Sequence, residues 1–262
     1  MIGAILGDVV GSIYEFDNIK TKDFELFDKE CMFTDDTVMT VAVAEALMQY
    51  DTVTDYEAFK KTLIASMHKY GAIYPDASYG GRFLVWLLRK RTEPYNSFGN
   101  GSAMRVSPVG WYAKGLEEAE KLAKATAEVT HNHPEGIKGA TVTAGAIFLA
   151  RKGKSKDEIK AYVEESYDIN FTLDEIRDTY TFNETCQETV PQAMVAFLEA
   201  ESFEDAIRNA ISIGGDSDTL TAITGSVAEA FFGIDEDMKG TALSYLDERL
   251  LGVVEKFEDM YM

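Results

Sequence analysis

The chain has 262 residues, 46% of them hydrophobic, with 45 acidic against 25 basic side chains and a net charge of −20. That is enough apolar material for a large core, and so acidic a balance repels phosphate backbones and anionic membranes, which excludes a basic nucleic-acid-binding groove. Apolar runs such as Val142 to Ala150 are too short to cross a bilayer. The N-terminal stretch meets Asp8 and Glu15 with no basic region before its apolar start, so it does not read as a secretory signal. Cys31 and Cys186 make neither a disulfide framework nor a zinc pattern and are expected to be small buried side chains. The expected compartment is the cytoplasm.

In chain order, the first segment runs Gly3-Ala4-Ile5-Leu6-Gly7-Asp8-Val9-Val10-Gly11, with glycines four apart that allow a helix to pack closely. Asp8 and Glu15 share a face if that helix continues. An acid pointing inward among apolar residues is costly without a cation or partner, so Glu15 is a candidate general base or else a surface carboxylate. The polar stretch from Asp17 to Glu30 reads as a surface loop. It leads to Thr34-Asp35-Asp36-Thr37, which opens an apolar, small-residue helix. Near the other end, Gly214-Gly215 precedes Asp216-Ser217-Asp218-Thr219, which opens a helix of similar pattern. Asp, Ser and Thr are common N-caps, but two matched acidic motifs point to a shared site for hard divalent cations such as Mg²⁺, Mn²⁺ or Ca²⁺.

Between these motifs the pattern is helical throughout. Capping boxes are expected at Thr54 with Glu57, Ser155 with Glu158 and Thr172 with Glu175, and a shorter version at Ser202 with Asp205. Gly71, Gly115, Gly153 and Gly214 read as helix stops. No segment alternates as a strand does, and five prolines with no low-complexity tract leave no linker. The expectation is an all-α, compact multi-helix bundle forming one domain over residues 1–262.

The loop Ser97-Phe98-Gly99-Asn100-Gly101-Ser102-Ala103-Met104-Arg105 has the composition of an anion cradle. Its glycines let backbone N–H groups approach a phosphate, Arg105 can neutralise charge, and Phe98 offers a stacking face. Tyr79-Gly80-Gly81-Arg82 is a second such candidate. His68 sits in an amphipathic helix and reads as structural, whereas His131 reads either as a substrate hydrogen-bonding group or as a packed loop histidine.

Taken together, these motifs resemble the ADP-ribosylglycohydrolase family. The likeness runs from Gly3 through Asp8 and Glu15, then Phe33-Thr34-Asp35-Asp36-Thr37, Gly99 to Arg105, Thr130-His131, Thr189-Val190-Pro191 and Gly214 to Thr219. It implies an all-α fold with a central binuclear site for two divalent cations, Mg²⁺ or Mn²⁺, at the base of an ADP-ribose cleft. It implies Thr34, Asp35, Asp36, Asp216, Asp218 and Thr219 as metal ligands, with Glu15 and Asp36 catalytic. It further implies that Gly80, Ser97, Phe98, Gly99, Asn100, Gly101 and His131 contact the substrate, with Phe98 against adenine. The Phe182-Asn183-Glu184 stretch lacks glycines that some relatives carry there, which bears on the distal ribose contacts. The implied activity is hydrolysis of an ADP-ribosyl glycosidic bond on a modified protein or small-molecule conjugate. A metal-dependent nucleotide-diphosphate phosphohydrolase and a non-catalytic ADP-ribose-binding module are the competing readings at this stage.

Overall fold

α1 (Ile2–Gly11) is buried along its whole length in the computed structural model, which describes residues 1–262. Its apolar side chains serve two cores at once: Ile2, Ile5 and Val9 enter one, Leu6 and Val10 the other. Each such burial contributes on the order of 1.5–3 kcal/mol. The first core is built mainly by α2 (Asp35–Leu47), α3 (Tyr56–Ile73), α4 (Gly81–Leu88), α5 (Gly101–Met104), α6 (Ser107–Tyr112), α7 (Leu116–Glu128) and α15 (Glu248–Tyr261). The second gathers α8 (Pro134–Arg151), α9 (Lys156–Glu164), α10 (Leu173–Ile176), α11 (Cys186–Glu199), α12 (Phe203–Ser212), α13 (Ser217–Phe232) and α14 (Glu236–Leu243). There is no sheet, only one isolated bridge between Gly99 and Thr185. The all-α expectation holds.

Glycine spacing explains how α1 fits between the cores. A Cβ on Gly3 would lie 2.2 Å from the Gly225 carbonyl oxygen, and one on Gly7 would lie 2.3 Å from that of Thr221. No side chain can occupy either space, so α1 and α13 lie backbone against backbone. Carboxylates then tie helix to helix. Glu229 on α13 accepts from the Met1 amine at 2.6 Å and from Ile2 N and Gly3 N at 3.1 and 2.9 Å, satisfying the orphan amides that open α1.

Local signals fare unevenly. The Ser155–Glu158 and Thr172–Glu175 boxes form in full, and Ser202 accepts from Asp205 N. The Thr54–Glu57 box does not form. Asp55 caps α3 instead, its carboxylate accepting from Glu57 N and Ala58 N at 3.0 Å each, because an ionised oxygen one residue later reaches both amides. Gly71 does not stop α3, which runs on to Ile73; its missing Cβ makes room for the Leu87 side chain. Gly115 opens α7 rather than closing α6, which ends at Tyr112. Gly153 and Gly214 do follow helix ends, at φ of 73° and 68°. Residues 17 to 30 carry no helix or strand and are mostly exposed, as read from the sequence. Both cysteines are buried and free. His68 stacks on Trp86 at 4.3 Å, a packing role. No helix is long and apolar enough to cross a membrane.

Candidate active site

Two backbone amides and a hydroxyl offset part of the cost of burying Asp8. Its Oδ2 accepts from Thr34 N at 2.9 Å and Thr37 N at 3.0 Å, and its Oδ1 accepts from Thr34 Oγ1 at 2.7 Å. A carboxylate on α1 thus caps α2 and fixes the direction in which Asp35 and Asp36 are presented. Burial still holds the Asp8 carboxyl above its ordinary range, with these bonds acting in the opposite sense. Thr34 faces Asp8, with its hydroxyl 3.4 Å from Asp218 Oδ2, and does not line the cleft that Asp35 and Asp36 enter.

The second motif arrives on a turn. Gly214 and Gly215 take φ of +68° and +88°, a conformation costly for other residues, and so aim Asp216 and Asp218 from the start of α13 at the first motif. Asn18 straddles this turn: Gly215 N donates to its Oδ1, and its Nδ2 donates to Gly215 O and to the carbonyls of Tyr14 and Glu15. α1 ends at Gly11, and a short 3-10 turn over Ser12–Tyr14 carries the chain on to Glu15. Ligand oxygens of Glu15, Asp216 and Asp218 come within 4.8 Å of one another. Across the cleft, Thr219 Oγ1 donates to Asp36 Oδ2 at 3.0 Å, while Asp36 Oδ1 is buried with no partner.

Crowding perturbs every acid here. Glu15 is pushed up to about 8 by burial first, then by Asp218 and Asp8. Asp216 rises to about 6, burial outweighing bonds such as that from Asn100. Asp35, Asp36 and Asp218 are held well above the usual range, by burial and then by their neighbours' charge. Acids this destabilised as anions, with a buried oxygen lacking any donor, fit a divalent cation. An all-oxygen donor set favours hard ions over zinc.

The opposite wall is the glycine loop. Ser97, Phe98, Gly99, Asn100, Gly101 and His131 all border the cleft, and Gly80 joins them at the start of α4. Asn100 has a second task, its Nδ2 donating to Asp216 Oδ2 at 2.7 Å and Thr189 Oγ1 at 3.2 Å. Phe98 is 41% exposed and packs T-shaped with His133 at 5.3 Å between ring centres. Arg105 departs in part from expectation. Its guanidinium is buried and donates to Thr126 O and Thr130 Oγ1 at 3.0 and 2.7 Å, bracing the loop, while the residue still borders the cleft and its Nε has no partner. Thr130 Oγ1 also lies 2.8 Å from His131 Nδ1. The other ring nitrogen, Nε2, faces Gly99 and Gly101. Burial, then Arg105 and Arg82, keep His131 neutral.

Sequence reasoning missed Asn18 and the capping role of Asp8. Asn18 carries no local pattern of its own; the only hint was that Gly214-Gly215 would need a partner for an irregular turn. Phe182, Glu184 and Thr185 also border the cleft, and Phe16 stacks on Phe182 at its rim.

An all-α fold around an acid-lined cleft of this kind offers a carboxylate cluster that could hold a metal ion. The ADP-ribosylglycohydrolase profile matches residues 1–260, and the chain belongs to that family. Its relatives include ADP-ribosylhydrolase ARH3 of Bos taurus, 26% identical over 90% of this chain and 84% of that protein. Another is ADP-ribosylarginine hydrolase Tri1 of Pseudomonas putida, 24% identical over 89% and 70%. A solved ADP-ribosylglycohydrolase-related protein complex shares the fold, with TM-score 0.71 at 22% identity, covering 100% of this chain and 97% of that one. The protein is accordingly a hydrolase of ADP-ribosyl glycosidic bonds.

Proposed function

We propose that this chain, read as one cytoplasmic domain, releases ADP-ribose from a modified protein or a small-molecule conjugate. Two divalent cations, Mg²⁺ or Mn²⁺, would be held among Asp35, Asp36, Asp216, Asp218 and Thr219, with Thr34 joining them only if its hydroxyl turns from Asp8 to the cleft. The observation that carries this is the convergence of Glu15, Asp216 and Asp218 within 4.8 Å at the end of a cleft whose other wall is a glycine loop with an exposed aromatic ring. Sharing of α1 between both cores supports the single domain.

When bound, the cations supply Lewis acidity and an anchor for ribose hydroxyls. Phe98 stacks on adenine, and the amides of Gly99 and Gly101 donate to the diphosphate, with His131 Nε2 beside them. Gly80 leaves open space where a Cβ would meet nothing from the protein, room for ligand. Glu15, raised by burial and then by neighbouring charges, is ionised once those charges are offset by cations. It takes a proton from the water that bonds to the anomeric carbon; the glycosidic bond breaks toward the acceptor, which departs with that proton. Asp36 holds its neighbours in register through Thr219. Asn100 keeps Asp216 turned toward the cleft. Incubation with Mg²⁺ and arginine-, serine- and ester-linked ADP-ribosyl substrates, followed by mass analysis, tests this. Intact ADP-ribose is expected; AMP, or no product from any substrate, overturns it.

A further inference from the structure

Four cationic side chains gather along and just beyond α4: Arg82, Arg89, Lys90 and Arg91. No acidic residue interrupts the stretch from Arg82 to Thr92, in a chain of net charge −20. All four are exposed and none forms an ion pair; Arg82 donates to Tyr95 O and lies over the Tyr95 ring at the cleft, so the patch rests on Arg89, Lys90 and Arg91. α4 turns Phe83, Trp86 and Leu87 inward, so Val85, Leu88 and Arg89 share its outer face. Leu88 is 71% exposed and Val85 40%. Cations after a helix C-terminus are favoured by its dipole, which accounts in part for Arg89 to Arg91. The dipole gives no reason for two aliphatic side chains to face water.

The patch is fixed in place. Arg91 N donates to Trp86 O at 3.0 Å, Trp86 Nε1 donates to Glu93 O at 3.0 Å, and His68 Nε2 sits 2.8 Å from Arg91 O. Lys90 holds φ of +48°, where glycine would be unstrained, so local stability does not explain a lysine there. Gly80, Gly81 and Arg82 line the cleft, so the outer face of α4 begins at the cleft rim.

We propose that this face docks an acidic segment, with an aliphatic side chain among its carboxylates, of the protein whose modified residue enters the cleft. The proposal rests on the cleft cleaving ADP-ribose from a protein. Charge complementarity selects the occupant: a short acidic segment meets only the basic patch, whereas an extended nucleic acid also meets the acidic remainder of the surface. Val85 and Leu88 add apolar contact, the usual source of affinity beside charged specificity.

The test is fluorescence anisotropy at low and high salt with three probes: an unmodified Glu/Leu peptide, its Gln/Leu counterpart, and an oligothymidylate of equal charge. The acidic peptide is expected to bind about tenfold tighter than the neutral one, with the advantage lost at high salt and in the Arg89→Glu/Arg91→Glu double variant. Lys90→Gly should weaken peptide binding while raising the melting temperature, which separates docking from folding. On an ADP-ribosylated acidic peptide the double variant should raise KM with kcat unchanged, while a small ADP-ribosyl conjugate is cleaved at the native rate. Equal binding of the two peptides, indifference to charge reversal, or tighter binding of oligothymidylate overturns the proposal. Failure to cleave the small conjugate would instead strike the hydrolase reading, with the anisotropy still deciding the docking.

Discussion

Asn18 and Gly215 clasp one another: Gly215 N donates to Asn18 Oδ1 at 2.8 Å, and Asn18 Nδ2 donates back to Gly215 O at 2.9 Å. The same Nδ2 lies 2.6 Å from Tyr14 O and 3.1 Å from Glu15 O. One amide therefore joins the segment bearing Glu15 to the turn presenting Asp216, so the geometry of the acid cluster depends on a side chain outside it.

Asn18→Ala should lower kcat about tenfold or more, since misplacing a reacting group by a fraction of an ångström is costly. ADP-ribose affinity should stay near normal, because the Phe98 end of the cleft is untouched. Stability should fall only modestly, with each partly exposed bond contributing about 1 kcal/mol. Single-turnover cleavage beside calorimetry checks the split; equal losses in rate and affinity would make Asn18 a general structural residue.

The acid cluster makes a signed prediction about pH. Glu15 and Asp216 bind protons more tightly folded than unfolded, at about 8 and about 6, and Asp36 and Asp218 shift in the same direction. Between the unfolded carboxylate range near 4 and about pH 8, the folded state therefore holds more protons, and metal-free protein should lose stability as pH rises through that window. A divalent cation should restore it at pH 8, by about 2.7 kcal/mol at a hundredfold excess over Kd. Thermal melts with Mg²⁺, Mn²⁺ or KCl at matched ionic strength separate ligation from screening. Equal effects of KCl and Mg²⁺ would mean the cluster does not bind the ion.

How much of this was legible follows from the range of each interaction. Ser155 with Glu158 and Thr172 with Glu175 are three residues apart, and such boxes read directly from sequence. Close packing of α1 was legible because Gly3 and Gly7 leave it few other uses. Both acidic motifs were visible as local crowding. Asn18 and Gly215 are 197 residues apart, and nothing near either names the other. Arg105 was legible only in part: an arginine beside glycines suits an anion cradle, and it does border the cleft, but nothing local indicated that Thr126 and Thr130 would supply buried acceptors from another helix and its end. Gly71 shows the same limit, since glycine as a stop and glycine as a packing gap look identical in one dimension.

Phe98 separates binding from chemistry. Phe98→Ala should weaken ADP-ribose binding by about 1–3 kcal/mol if the ring stacks on adenine. At saturating substrate, turnover should change far less, because that contact is made equally in ground and transition states. Calorimetry on free ADP-ribose tests it, and unchanged affinity would leave Phe98 only its contact with His133.

Glu15→Gln isolates the proton-transfer role. Glutamine keeps the size and most of the hydrogen bonding but cannot accept a proton, and it removes one of the charges that raise Asp216. As general base, Glu15 should account for about 10²–10⁴-fold in kcat, with the fold and cation content retained. Should the carboxylate serve only to hold a cation, the rate loss would track lost occupancy and recover at high Mg²⁺. The Asn18 clasp acts through backbone carbonyls, which the substitution leaves intact, so a shift of this segment cannot mimic the chemical loss. Single-turnover cleavage with independently measured cation occupancy distinguishes the two roles. A fully occupied variant cleaving at near-native rate would remove Glu15 from the proton transfer and direct attention to Asp36, whose Oδ1 is the buried oxygen left without a donor.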